Sequence, residues 1–183
     1  LALQGYAAVA PNLYHRDPPD CRDDNPTRKA RLRDRTIIND INAAVGFLKN
    51  HRQVDGSKLG ITGFCMGGRL VYLMSAVNKD LKAGVMFYGS GTMVPFGDGP
   101  TPFERTSEIG CPIQGHFGAT DQNPTLEDMD KLAAALKEQG KSYEFFVYQD
   151  TGHAFLDPHH PDKYVEKSDK ESWARGLDFL RRH

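Results

Sequence analysis

The residues best placed to do chemistry lie in Gly63-Phe64-Cys65-Met66-Gly67-Gly68. This run fits the pattern glycine, any residue, nucleophile, any residue, glycine, with cysteine where serine usually stands. Such a nucleophile sits on a tight, strained turn between a strand and a helix. Side chains two residues to either side would collide, so glycine is expected at both Gly63 and Gly67. The turn also puts Cys65 at a helix N-terminus, where the dipole and the free N–H groups favour a thiolate. The backbone N–H of Met66 then points at the place where an oxyanion would develop.

A nucleophilic thiol needs a base, and the base needs an acid to orient it. Thr151-Gly152-His153-Ala154-Phe155 follows the last strand signal, which puts His153 on a loop at a strand's carboxyl end. Gly118-Ala119-Thr120-Asp121 follows the preceding one, which puts Asp121 on a neighbouring loop. Taken singly, His153 could be a loop histidine satisfied by backbone, and Asp121 a turn or cap residue before Asn123-Pro124. Taken together, in the order nucleophile, acid, histidine, they read as a Cys65–Asp121–His153 triad.

The other reactive side chains read differently. His159-His160 lies in a proline-flanked loop without a third ligand at useful spacing, so it is a solvated pair and no metal site is expected. His116 falls in a strand and reads as a packed core histidine. Cys21 and Cys111 lack glycine elbows and read as ordinary thiols. Arg22, Arg28, Arg31, Arg33 and Arg35 alternate with aspartates as a solvated face. Arg16 follows a strand end directly and could reach a substrate carboxylate.

These residues need a frame that brings strand ends together. Residues 6–9 read as a short buried strand, and residues 15–35 as mostly loop, with Pro18, Pro19 and Pro26. Residues 34–51 carry Ile37, Ile41, Ala44, Val45 and Leu48 at helical spacing. A strand at 58–62, the elbow and a helix at 66–77 follow, then a strand at 83–88 closed by Gly89-Ser90-Gly91. Further strands fall at 113–117 and 143–148. A helix marked by Leu126, Met129, Ala133 and Leu136 is stopped by Gly140, and Trp173, Leu177 and Leu180 mark a closing helix. Strands alternating with helices predict an α/β sheet, mostly parallel, with helices on both faces. On such sheets the site lies at the carboxyl ends of the strands.

Composition narrows the rest. The 183 residues carry 23 basic and 24 acidic side chains, a net charge of -1, so there is no electrostatic footprint for nucleic acid. No apolar run exceeds about five residues, so no membrane span is expected. Three scattered cysteines with no CxxC pair argue against a disulfide framework and for a cytoplasmic home. No nucleotide loop or metal cluster implies a cofactor. Leu1 to Gly5 reads like the last turn of a helix ending at glycine, so the chain is expected to be part of a longer protein.

With these motifs in view, the chain resembles the dienelactone hydrolase (carboxymethylenebutenolidase) family of α/β-hydrolases over nearly its whole length. Gln4-Gly5-Tyr6-Ala7-Ala8-Val9-Ala10-Pro11-Asn12-Leu13-Tyr14 resembles the family's QGYAAV-P-DLY segment. Gly118 to Pro124 resembles its G-x-x-D-x-x-x-P loop, one residue shorter before the proline, and Tyr148 to Phe155 its Y-x-x-A-G-H-x-F stretch, with Thr151 where alanine is common. The resemblance implies one α/β-hydrolase domain over 1–183, lacking N-terminal strands, with a gap in the sheet after residues 6–9. It implies Cys65 as nucleophile, His153 as base and Asp121 as its orienter. It further implies Arg16 as a substrate-carboxylate contact and Phe87-Tyr88 as an aromatic pair near the pocket. Asp157 stands where some members carry a second substrate arginine.

The expected activity is cleavage of a small cyclic carboxylic ester, such as an enol-lactone of aromatic degradation, through a thioester acyl-enzyme. The expected partner is that small molecule alone, with the protein a monomer or weak homodimer. Two other readings stay open: an amidotransferase-like cysteine hydrolase, and a hydrolase-like domain that binds without turnover.

Overall fold

Strand signals separated by helix signals become alternating elements in the computed structural model, which describes residues 1–183. After a 3₁₀ turn at Ala2–Gln4, the elements are α1 (Asn25–Ala30), α2 (Asp34–Lys49), β1 (Leu59–Phe64), α3 (Met66–Val77), β2 (Leu81–Phe87), β3 (Ile113–Gly118), α4 (Leu126–Glu138), β4 (Tyr143–Tyr148) and α5 (Glu166–Arg182). A second 3₁₀ turn, Phe103–Glu108, interrupts the long loop before β3. The chain divides into two units: Leu1–Leu59 with Pro95–Gly99, and Gly60–Val94 with Pro100–His183. No helix is long and apolar enough to cross a membrane.

The first unit departs from expectation in two places. Residues 6–9 do not form a strand; they run as irregular backbone, with Val9 43% exposed. Apolar composition alone does not make a strand, because its N–H and C=O groups need a neighbour and its apolar side needs cover. Within residues 15–35, read as loop, α1 forms because its first turn is capped. The Thr27 N–H donates to Asp24 Oδ1 at 2.9 Å, and Pro26 sits in the first turn, where its missing N–H costs nothing. α2 buries Ile37, Ile41 and Val45, one apolar stripe at a four-residue spacing. The opening turn ends at Gly5 with φ 84°, the left-handed closure expected of that glycine.

The second unit holds the sheet, apart from Leu59 at the start of β1, in the order β1-β2-β3-β4. β2 pairs parallel with β3, Gly84 opposite Ile113 through Phe87 opposite His116. β3 pairs parallel with β4, Ile113 opposite Tyr143 through Gly118 opposite Tyr148. Parallel neighbours in this register end together, so the loops after Phe64, Phe87, Gly118 and Tyr148 leave from one edge.

Helices cover both faces. A Cβ on Gly84 would meet Ser75 and Val71 of α3, whereas Val85, facing the other way, lies against Gly176 of α5. α3 and α4 share one apolar cluster built on Val71, Tyr72, Ile113, Phe117, Leu132 and Leu136. Each such side chain contributes roughly 1.5–3 kcal/mol by leaving water. α4 starts with a capping box, in which Asp128 N–H donates to Thr125 Oγ1 (3.1 Å) and Thr125 N–H to Asp128 Oδ2 (3.0 Å).

On the α5 face a ladder of rings crosses all four strands: Phe64, Phe87, His116 and Phe146. The centroids are 4.9, 4.7 and 5.6 Å apart and the planes within 15°. His116, fully buried, is the polar rung. Glu144 accepts from Gln114 Nε2 (2.9 Å), which leaves Gln114 Oε1 to accept from His116 Nε2 at 2.9 Å. His116 Nδ1 is then the acceptor for the Tyr148 hydroxyl (2.9 Å), which itself accepts from Arg175 (3.1 Å). No site remains for a second proton, and burial holds the imidazole down to about 3 from its ordinary 6.5.

This arrangement makes acid a destabiliser. Between about 6.5 and about 3 the unfolded chain binds a proton at His116 that the folded chain refuses, so stability falls as pH falls through that window. His116→Gln should lower the melting temperature at neutral pH, because the hydrogen-bond chain is broken, yet make it fall less steeply toward pH 4. Thermal melts across pH check this, and an equal or steeper slope in the variant contradicts it.

Candidate active site

The turn from β1 into α3 places Cys65 in a conformation few non-glycine residues adopt, φ 53° and ψ −118°. Such a residue costs about 1–3 kcal/mol and persists only where its surroundings over-determine it. Here the Cys65 N–H donates to the Phe87 carbonyl (3.0 Å), and the Cys65 carbonyl accepts from Arg69 N–H and Ser90 N–H, each at 3.3 Å. The two flanking glycines are not equivalent. A Cβ on Gly63 would lie 2.2 Å from the Gly67 carbonyl oxygen, as expected, but a Cβ on Gly67 meets nothing within 4 Å. The second indispensable glycine is Gly68, whose Cβ would lie 2.6 Å from Gly89 Cα, where α3 passes the end of β2. Glycine at 67 is therefore not demanded by the crowding the sequence suggested.

The Asp121 and His153 loops are brought together by another close approach. A Cβ on Gly118 would lie 2.3 Å from the Thr151 carbonyl oxygen. The Thr120 N–H donates to that same carbonyl (3.0 Å), and the Ala119 N–H to Tyr148 O (2.9 Å), so the two loops are laced together. The fully buried Thr151 hydroxyl bonds to Gln149 O (2.9 Å) and Ser168 Oγ (3.0 Å), tying the histidine loop to α5. Asp121 Oδ1 accepts from Asn123 N–H (2.8 Å), leaving Oδ2 to accept from His153 Nδ1 at 2.8 Å. The Asp121 side chain is 1% exposed and the His153 side chain 33%, so the acid is sealed while the ring keeps an open side. Tyr88 buttresses the ring edge-on, centroids 5.0 Å apart.

The electrostatics follow from these contacts. The Asp121 carboxylate foremost, with Cys65 second, raises His153 from 6.5 to about 9. His153 in turn, aided by Ser90 Oγ at 3.6 Å and the Met66 N–H, brings the Cys65 thiol from 9.0 down to about 7 against the opposing cost of burial. Buried Cys111 is shifted the other way, upward by desolvation. Between about 7 and about 9 the pair carries a thiolate beside an imidazolium, an arrangement able to attack a carbonyl and protonate a leaving group.

The remaining expected residues fall as follows. Met66 opens α3 with its N–H at the thiol. Phe87, expected beside a pocket, is 1% exposed and stacked between Phe64 and His116, so its ring is enclosed and its carbonyl is what serves Cys65. Arg16 lies in the first unit, held by both carboxylate oxygens of Asp40 (2.6 and 2.7 Å). His160 bonds to Asp157 at 2.8 Å, and no cluster of potential metal ligands forms. Sequence reasoning missed Ser90, Arg69, Gly118 and Thr151. Gly118 and Thr151 stand in motifs already singled out, whereas Ser90 and Arg69 carry no sequence signal.

The chain has recognisable relatives among known proteins. A family model described as the dienelactone hydrolase family matches residues 1–183. A Methylorubrum extorquens protein provisionally named carboxymethylenebutenolidase is 33% identical over 193 residues, covering 100% of this chain and 65% of that one. A Bradyrhizobium protein provisionally named 2-oxo-3-(5-oxofuran-2-ylidene)propanoate lactonase is 30% identical over 190 residues, covering 100% of this chain and 75% of that one. The crystal structure of a provisionally named dienelactone hydrolase from Klebsiella pneumoniae superposes with a TM-score of 0.83 at 28% identity, over 93% of this chain and 73% of that one. The chain thus spans 65% of the length of the Methylorubrum relative.

The asymmetry of the elbow predicts a mutational split. Gly63→Ala must push Cys65 off its position and should cost on the order of 10² in esterase rate, as ångström-scale misplacement does. Gly67→Ala should stay close to the parent rate. Kinetics with an aryl ester on variants verified as folded check this, and equal losses at both positions contradict it.

Proposed function

The chain belongs to the dienelactone hydrolase family, and from that premise we propose that it hydrolyses small cyclic carboxylic esters with Cys65 as nucleophile, His153 as acid and base, and Asp121 as the residue that orients His153. The observation that carries the reading is the 2.8 Å Asp121–His153 bond facing a thiol on a strained elbow. The lactonase name of the Bradyrhizobium relative supports the substrate class.

In the first half-reaction the Cys65 thiolate adds to the lactone carbonyl, and the Met66 N–H steadies the oxyanion. The ring C–O bond breaks as the tetrahedral intermediate collapses, and the departing oxygen takes the proton held on His153. The product is a thioester of the opened acid. In the second, neutral His153 takes a proton from water, hydroxide adds to the thioester, and the carbon–sulfur bond breaks. The acid leaves and Cys65 returns as thiolate beside protonated His153. Asp121 keeps His153 Nδ1 protonated throughout, so that Nε2 does the proton transfer.

A thiolate of this kind is prone to oxidation, and all three cysteines are free. That supports a reducing, cytoplasmic setting for the activity. Arg16, engaged with Asp40, is not part of the proposed machinery.

Cys65→Ala should reduce lactone or aryl-ester turnover by about 10⁴-fold or more while leaving the melting temperature nearly unchanged. His153→Gln should cost about 10²–10⁴. Substantial activity in a pure Cys65→Ala preparation would remove the nucleophile assignment.

The pH profile of kcat/KM should be bell-shaped. Its acid limb lies near 7, where Cys65 loses its proton, and its alkaline limb near 9, where His153 loses the proton it must give away. A single rising limb centred near 9.0, the ordinary thiol value, contradicts the ion-pair account.

A further inference from the structure

Ser90 lies just beyond Tyr88 and Gly89, 6% exposed, with its Oγ 3.6 Å from Cys65 Sγ. Three constraints hold it there. Its N–H donates to the Cys65 carbonyl at 3.3 Å. Its neighbour Gly89 is locked against Gly68, where a Cβ on Gly68 would come within 2.6 Å of Gly89 Cα. The chain beyond it is gripped by the fully buried Arg69, whose Nε donates to Gly91 O (3.0 Å) and whose Nη2 donates to Val94 O (2.7 Å). The hydroxyl is therefore fixed beside the sulfur by the same segments that build the elbow.

A serine hydroxyl can donate or accept, but a thiolate can only accept. Resting on the reading of Cys65 as nucleophile, we infer that Ser90 is a second side-chain hydrogen-bond donor to the Cys65 thiolate, beside His153, and that Arg69 is the positioning residue that holds the Ser90 loop. The two side-chain donors divide the work. His153 must give its proton away during the reaction, whereas Ser90 keeps its own and goes on stabilising the anion. The stabilised thiolate is more abundant at neutral pH and intrinsically less nucleophilic, since thiolate reactivity falls with thiol pKa.

The groups that lower the thiol are the His153 ring, Ser90 and the Met66 N–H. The Tyr88 phenol, which burial keeps protonated well above its ordinary range, lies near enough to feel the charge on the sulfur. Asp121 acts through His153. A change in thiol titration on removing the Ser90 hydroxyl thus reports Ser90 itself.

The test is a titration of Cys65 followed by thiolate ultraviolet absorbance and by iodoacetamide alkylation mapped to its peptide. Wild type should titrate near 7. Ser90→Ala should move that midpoint up by about one unit, the size expected for one hydrogen bond to a charge, and slow alkylation below it about threefold, because an about tenfold loss of thiolate is partly offset by its greater nucleophilicity. Ser90→Thr should return the midpoint toward wild type, which a purely structural role for Ser90 would not require. Should the alanine variant fail to fold, Ser90→Gly removes the same hydroxyl and carries the test. An unmoved midpoint in either folded variant overturns the inference about Ser90 and leaves the nucleophile standing. A wild-type midpoint near 9.0 overturns both.

Discussion

The structure turns on the place where two loops cross at Gly118. With glycine there, the backbone after β3 passes so close to Thr151 that any Cβ would overlap its carbonyl oxygen. That approach lets Thr120 N–H reach Thr151 O and sets Asp121 2.8 Å from His153 across 32 residues of sequence. A looser crossing would leave a sealed carboxylate without its partner, a costly state for a charge with 1% exposure. The Asp121–His153 pair raises the imidazole and the raised imidazole lowers the thiol, so the reactivity proposed for Cys65 rests on packing at this glycine.

A second layer keeps the crossing in register. The ladder of Phe64, Phe87, His116 and Phe146 spans all four strands just before they end. Three rungs connect directly to what the site needs: Phe64 precedes Cys65, Phe87 supplies its carbonyl to the Cys65 N–H, and His116 accepts from the Tyr148 hydroxyl at the foot of the histidine loop. A polar rung inside an aromatic ladder is tolerable because every donor and acceptor on it is matched through Gln114, Glu144, Tyr148 and Arg175. The strained φ of 53° at Cys65 survives because its N–H and carbonyl are held by Phe87, Arg69 and Ser90.

What was readable from sequence follows from how local each feature is. α3 runs from Met66 to Val77, as its apolar pattern indicates, because a helix buried nearly all round announces itself in consecutive residues. The four strands are equally local, and once they alternate with helices, the meeting of Cys65, Asp121 and His153 at one edge is a consequence of parallel register. Non-local features were hidden. Residues 6–9 look like a strand, but a strand is made by its neighbour. Gly67 looks as constrained as Gly63, yet only the folded turn reveals which glycine meets a carbonyl. Ser90 sits in a glycine-flanked turn that reads as mere punctuation, and its value comes from a sulfur 25 residues away. Arg16 looks free on its loop until Asp40 closes on it.

The central claim is that this packing turns Cys65 into the group that is acylated. Mixing the protein with an excess of an activated aryl ester, quenching in acid during the first turnover and mapping peptides by mass tests it most directly. The account predicts a burst of phenol matched by the acyl mass on the Cys65 peptide, with Cys21 and Cys111 unmodified. A phenol burst with the acyl group on another residue, or with none on Cys65, would contradict it.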